Sequence, residues 1–164
     1  MELTLQHQAD FTLLADDVFR PKLQETIAAL EKWAKQIGQF AQVERSETNW
    51  RIKLEPPVPN ACPCELILRR DQRFDLVIGE ETYEDHPVRN LGLFLPMLQA
   101  VVAGNVSTRR WISSATGLEY QVETVVPLPD GTSWRAERRN ALAPDPPEIN
   151  LECETRQYVP YFRS

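Results

Sequence analysis

The chain has 164 residues, 42% of them hydrophobic and 26% charged, which is enough for one globular domain with a buried core. Its formal net charge is −6, and an acidic chain repels phosphate, so we expect no nucleic-acid partner. The three cysteines show no framework spacing, the first residues form no leader pattern, and no apolar run is long enough to span a membrane. We therefore expect a cytoplasmic protein with free thiols and no membrane contact.

The first strong pattern along the chain is an amphipathic helix that begins at Pro21. Proline suits the first helical position because its missing N–H would have no partner there. Apolar side chains then recur at three- and four-residue spacing, which predicts one buried stripe: Leu23, Ile27, Leu30, Ala34 and Ile37. Residues 2–15 alternate only briefly and predict no definite element.

Three strands are predicted next. Residues 48–55 alternate apolar and polar side chains, as a half-buried strand does, and the prolines between 56 and 63 predict a stiff connection. Residues 64–70 and 74–81 predict a hairpin. A loop of residues 71–73 sets Leu68 opposite Leu76, whereas a two-residue loop sets Leu68 opposite Asp75, so the hydrophobic register favours the longer loop.

An acidic run at residues 80–86 ends in His86. Carboxylates beside a histidine can hold a cation or act as acid and base, but such runs are usually solvated, and we interpret this one as a loop. A second helix is predicted over about 93–103, with Gly104 as its stop. Because it is apolar almost all round, it must be covered by the sheet and first helix or by a second subunit.

Residues 104–139 predict a three-stranded antiparallel meander with reversals at Gly117 and at residues 129–131. The expected cross-strand pairs are Val126 with Trp134, Val122 with Arg138 and Arg110, Arg109 with Glu123, and Ile112 with Tyr120. One face of this sheet is then an apolar core. The other face interleaves arginine with glutamate, which predicts cross-strand ion pairs and argues against a nucleic-acid platform.

The candidate ligand site lies on the core face of this meander, where Arg110 and Arg138 both flank Val122. A buried guanidinium must reach the rim or meet a carboxylate. In one interpretation the two arginines reach the rim or pair with a helix carboxylate. In the other, Arg110, Arg138 and Tyr120 frame a pocket for an anion or carboxylate, with Trp134 as its wall.

Metal and cofactor chemistry have little support in the sequence. One residue separates Cys62 from Cys64, which is less than the spacing of structural zinc sites, so we predict no metal site and leave a redox role of this pair open. The chain also contains neither a glycine-rich phosphate loop nor a Gly-x-Ser-x-Gly elbow. We predict no cofactor, and enzymatic function is unsupported rather than excluded.

The C-terminal part begins with prolines at 144, 146 and 147, which predict a linker. Alternation over residues 149–154 predicts a final strand, and the aromatic residues 158–162 are expected to dock because they would be sticky if exposed. We therefore divide the chain into a single α+β domain, 1–143, and a linker with a C-terminal arm, 144–164. The arm is expected to pack on the domain or on a partner subunit.

The predicted order is α-β-β-β-α-β-β-β with a C-terminal arm or strand, which indicates an α+β fold with two helices packed on antiparallel sheet. This order and the low pI resemble the small dimeric chaperones of bacterial secretion systems, which hold an extended client on helix and sheet surfaces. Our leading hypothesis is a non-enzymatic adaptor or chaperone-like module. We expect it to dimerise through its second helix and arm, and to bind a protein or peptide client at a sheet edge or groove. The alternative is a small anionic-ligand binder or enzyme that uses Arg110 and Arg138.

Overall fold

The computed structural model describes residues 13–142 and 150–162 of the chain, and these form an α+β fold, as predicted. The helices are α1 (Asp16–Ile37) and α2 (Phe94–Val102). The strands are β1 (Ala41–Arg45), β2 (Asn49–Leu54), β3 (Cys64–Arg69), β4 (Arg73–Ile78), β5 (Glu81–Pro87), β6 (Ser107–Ser113), β7 (Glu119–Pro127), β8 (Ser133–Arg139) and β9 (Leu151–Gln157). Neither helix in this part of the chain is long and apolar enough to cross a membrane.

The described residues fall into two compact units. The first unit comprises residues up to Glu55 together with Pro63–Leu95, and the second comprises Pro56–Cys62 together with the residues from Pro96 onward. The first unit contains an antiparallel sheet in the order β1-β2-β3-β4-β5, and the second contains one in the order β8-β7-β6-β9.

The core of the first unit joins the apolar stripe of α1 to one face of its sheet. Alternate strand residues point to this face, which is why the period-two pattern in the sequence becomes a buried layer. The buried side chains are Phe19, Leu23, Ile27, Leu30, Trp50, Ile52, Leu54, Leu66, Leu68, Leu76 and Ile78.

Helix α1 begins at Asp16 instead of the predicted Pro21. Two aspartates in its first turn, Asp16 and Asp17, favour the start because carboxylates interact well with the positive end of the helix. Pro21 therefore lies inside the helix, where it removes the bond to the Asp17 carbonyl. Gly38 ends the helix with φ 78° and donates its N–H to the Ala34 carbonyl.

Two strands of the first sheet were not predicted, β1 and β5. The acidic run interpreted as a loop is β5, since Glu81 and Tyr83 are buried while Thr82 and Glu84 are exposed. A bulge interrupts its pairing with β4, and Asp85 there has φ 62°. An acidic run is typical of a loop, and this strand was therefore not predicted, although its residues alternate between buried and exposed as in an ordinary strand.

The predicted register of the β3–β4 hairpin is wrong by two positions. Leu68 lies opposite Phe74 and Leu66 opposite Leu76, because the loop is residues 70–72 and closes with Gln72 at φ 63°. A shift of two residues keeps every side chain on its own face, so the predicted core of the hairpin is still buried.

The meander of the second unit is β6-β7-β8, and the predicted final strand, β9, pairs with β6. The pairs of Val126 with Trp134, Val122 with Arg138 and Arg110, and Glu123 with Arg109 are confirmed. The pair of Ile112 with Tyr120 is wrong, because a bulge after Trp111 sets Ile112 opposite Glu119.

The C-terminal residues dock on the second unit. The Tyr161 N–H donates to the Val102 carbonyl, its hydroxyl donates to the Cys62 carbonyl, and the Tyr158 N–H donates to the Val106 carbonyl. The ring of Tyr161 is buried, as are the α2 side chains Met97, Leu98 and Val101. These side chains are therefore covered within the chain itself.

Candidate functional site

The two arginines of the predicted pocket bind a carboxylate that the chain itself supplies. The bulge in the β6–β7 pairing turns Glu119 to the face that carries Arg110 and Arg138. Arg110 Nε lies 2.9 Å from Glu119 Oε2, and Arg138 Nη2 lies 2.6 Å from Oε1. All three side chains are partly exposed, so the ion pairs stabilise the fold only modestly.

The other two residues of that predicted pocket have different neighbours. The Arg139 guanidinium lies 4.9 Å from the ring centroid of Tyr120, in a cation–π contact. Trp134 lies opposite Val126, four residues from Arg138 along β8, which corresponds to roughly 13 Å of extended strand. The structure thus brings Arg110 and Arg138 together and leaves Trp134 apart from them.

The three cysteines are free thiols; Cys62 and Cys64 are buried, and Cys153 is exposed. Within residues 13–142 and 150–162, no group of three or more histidine, cysteine or acidic side chains could hold a metal ion.

His86 packs between two aromatic rings at the end of β5. Its ring centroid lies 5.7 Å from that of Phe74 and 5.9 Å from that of Tyr83. Burial lowers the pKa of His86, and the nearby Asp75 and Asp85 offset this only in part. The imidazole between two rings contributes to packing in the first unit, and burial favours its neutral form.

The feature that offers a binding site is the free edge of β1. The Glu55 N–H donates to the Phe40 carbonyl, so in this antiparallel register the even-numbered residues of β1 are the ones that bond to β2. The backbone N–H and C=O groups of Val43 and Arg45 therefore point away from the sheet. Among the described residues these groups have no hydrogen-bond partner, and they can accept another strand.

A groove runs beside this free edge, between β1 and the last turns of α1. Its volume is about 420 Å³. Small residues on both sides, Ala34, Gly38 and Ala41, leave the space open. The remaining lining residues are Glu31, Lys35 and Val43. A helix set alongside an unpaired strand edge is the arrangement that protein domains use to bind an extended peptide as an added strand.

A hydrogen-bond network holds α1 against β1 and β2 at one end of the groove. Glu31 accepts bonds from Arg45 Nε at 2.8 Å, from Arg45 Nη2 at 2.6 Å and from Trp50 Nε1 at 3.0 Å. The bond from Arg45 holds the pKa of Glu31 below its ordinary value, so the carboxylate stays ionised in mild acid. These hydrogen bonds therefore fix α1, which forms one wall of the groove, relative to β1.

Beyond Arg45, the turn between β1 and β2 closes a second, smaller cavity. Its volume is about 160 Å³, and its lining includes Leu23, Ile27, Trp50 and Arg70. This space corresponds to about five water molecules and is smaller than the sites that hold drug-sized ligands. It suits one amino-acid side chain better than a cofactor.

The other edge strands of the described structure are β5, β8 and β9, and each has features that disfavour the addition of another strand. The bulge and Pro87 distort β5, and charged side chains line β8 and β9. Strand β1 has no proline or bulge, and its Arg45 is hydrogen-bonded to Glu31. It is thus the least protected of these edges.

Comparison of the chain with models of protein families, with curated proteins and with solved structures gave no match.

Proposed function

We propose that this chain is a non-enzymatic protein-binding module that takes up an extended polypeptide segment as an additional strand on β1. The supporting observation is the pair of outward-facing backbone sites at Val43 and Arg45 beside the groove. Backbone bonds along the edge supply affinity, and the groove selects the side chains that alternate toward α1. We further propose that it acts in the cytoplasm, where a reducing environment keeps its thiols free.

The substitution Val43→Pro is expected to abolish binding while leaving the fold intact. The Val43 N–H points away from β2, so proline removes no bond of the sheet but blocks the ladder to an incoming strand. Peptides selected from a displayed random library on the wild-type protein should lose about tenfold or more in affinity for the variant, by fluorescence polarisation. The urea unfolding midpoint should stay unchanged.

The matched control is Gln42→Pro, one residue away on the same strand. The Gln42 N–H faces Lys53 of β2, so proline there breaks the ladder within the sheet and lowers the unfolding midpoint. If the library yields no binder to the wild type, or if its binders tolerate Val43→Pro, the proposed site on β1 is wrong.

A further inference from the structure

The sequence of β1 is complementary to itself when two copies run antiparallel and are centred on Val43. In that register Val43 faces Val43 of the second copy, Gln42 faces Glu44, and Ala41 faces Arg45. Resting on the proposed function of this edge, we propose that the strand β1 takes up is β1 of a second copy of the chain. The two five-stranded sheets then join across a two-fold axis.

The backbone of β1 meets the geometric requirement of this pairing. Antiparallel strands exchange both bonds at every second residue, and the outward-facing residues of β1 are those with odd numbers. Each Val43 N–H thus bonds the Val43 carbonyl of the other copy, and each Arg45 N–H bonds the Ala41 carbonyl. The Ala41 N–H already donates to the Gly38 carbonyl in the turn before β1.

The side chains favour this register over those displaced toward the C-terminal end of β1. On the exposed face, the Gln42 amide can donate to the Glu44 carboxylate of the second copy. On the face toward α1, two valines meet, and the long stem of Arg45 covers the small Ala41. Centring the pair on Glu44 or on Arg45 sets like charges opposite each other, which disfavours those registers.

The register is tested by a charge reversal and its rescue, with mass in solution measured by sedimentation over a concentration series. The wild type should dimerise. Gln42→Glu sets a carboxylate opposite Glu44 twice and should weaken the dimer about tenfold. Adding Glu44→Lys to that variant converts both repulsive pairs into attractive ones and should restore the dimer. Glu44→Lys alone loses an exposed 3.6 Å contact with Arg51 and replaces the acceptor opposite Gln42 by a donor, whose hydrogen bond the Gln42 amide oxygen can accept, so this control should change association little.

Each outcome separates the inference from the proposed function. Loss and rescue of the dimer would establish the pairing of β1 with itself. A strictly monomeric wild type overturns the inference, and peptide binding that is sensitive to Val43→Pro then shows that the proposed function stands without it. A dimer that tolerates both Gln42→Glu and Val43→Pro uses another surface and also overturns the inference.

Discussion

Replacing Gly104 with alanine is expected to destabilise the protein by about 3 kcal/mol or more, the largest effect we expect of a single methyl group. Gly104 has φ 83°, and a Cβ atom there would lie 2.5 Å from the Pro160 nitrogen and 2.7 Å from the Val159 carbonyl carbon. These are backbone atoms of the docked C-terminal residues, which cannot rotate away as a side chain can. The C-terminal segment must move, and urea unfolding measures the cost.

The control for this prediction is Gly131→Ala in the turn before β8. Gly131 has φ 89°, but a Cβ atom there would meet nothing within 4 Å, so alanine introduces backbone strain without a clash. The left-handed conformation costs about 1–2 kcal/mol for a residue with a Cβ atom. Equal losses of stability in the two variants would show that the close approach at Gly104 does not matter.

Replacing Tyr161 with alanine is expected to cost about 3–5 kcal/mol, in the range of large aromatic deletions from a core. Its side chain is 1% exposed although it lies near the end of the chain. Its hydroxyl donates to the Cys62 carbonyl, and its backbone N–H donates to the Val102 carbonyl. Loss of the side chain therefore leaves a cavity and removes one hydrogen bond to the Cys62 carbonyl, and thermal unfolding should show a large drop in Tm.

Two milder substitutions separate these contributions. Tyr161→Phe removes only the hydroxyl and should cost about 1 kcal/mol. Phe162→Ala removes a neighbouring ring that is 45% exposed and should have the smaller effect expected near the surface. If Tyr161→Ala lowers stability no more than Phe162→Ala does, Tyr161 does not anchor the C-terminal segment.

Much of the fold could be predicted because its signals are local. Local patterns alone predict three of its elements. The apolar stripe from Leu23 to Ile37 has the period of a helix, and residues 48–55 have the period of a strand. The residues Pro129-Asp130-Gly131 are typical of a turn. The turns of the meander also predicted its register correctly for four of the five cross-strand pairs. The start of α1 was missed because Pro21 fits a first turn, whereas two aspartates four and five residues earlier already favour the helix.

The candidate site was missed because β1, the strand that forms it, was not predicted. The helical stripe was predicted to Ile37 and the next strand from residue 48, with no element between them. Gly38, however, ends the helix, and the alternation of Ala41, Gln42 and Val43 is typical of a strand. The partner of Arg110 was missed for another reason. A one-residue bulge moves Glu119 to the opposite face, and bulges leave no reliable mark in a single sequence.

The exchange rates of the β1 amides test the free edge most directly. Hydrogen exchange of the Val43 and Arg45 N–H groups should be fast at low protein concentration. It should slow as the concentration rises, as a peptide of residues 39–47 is added, or as a peptide selected from the displayed library on the wild-type protein is added. The Gln42 and Glu44 amides, which face β2, should be protected throughout and serve as an internal reference. If the Val43 amide exchanges equally fast under all these conditions, β1 takes up no strand, and both the proposed function and the proposed dimer fail.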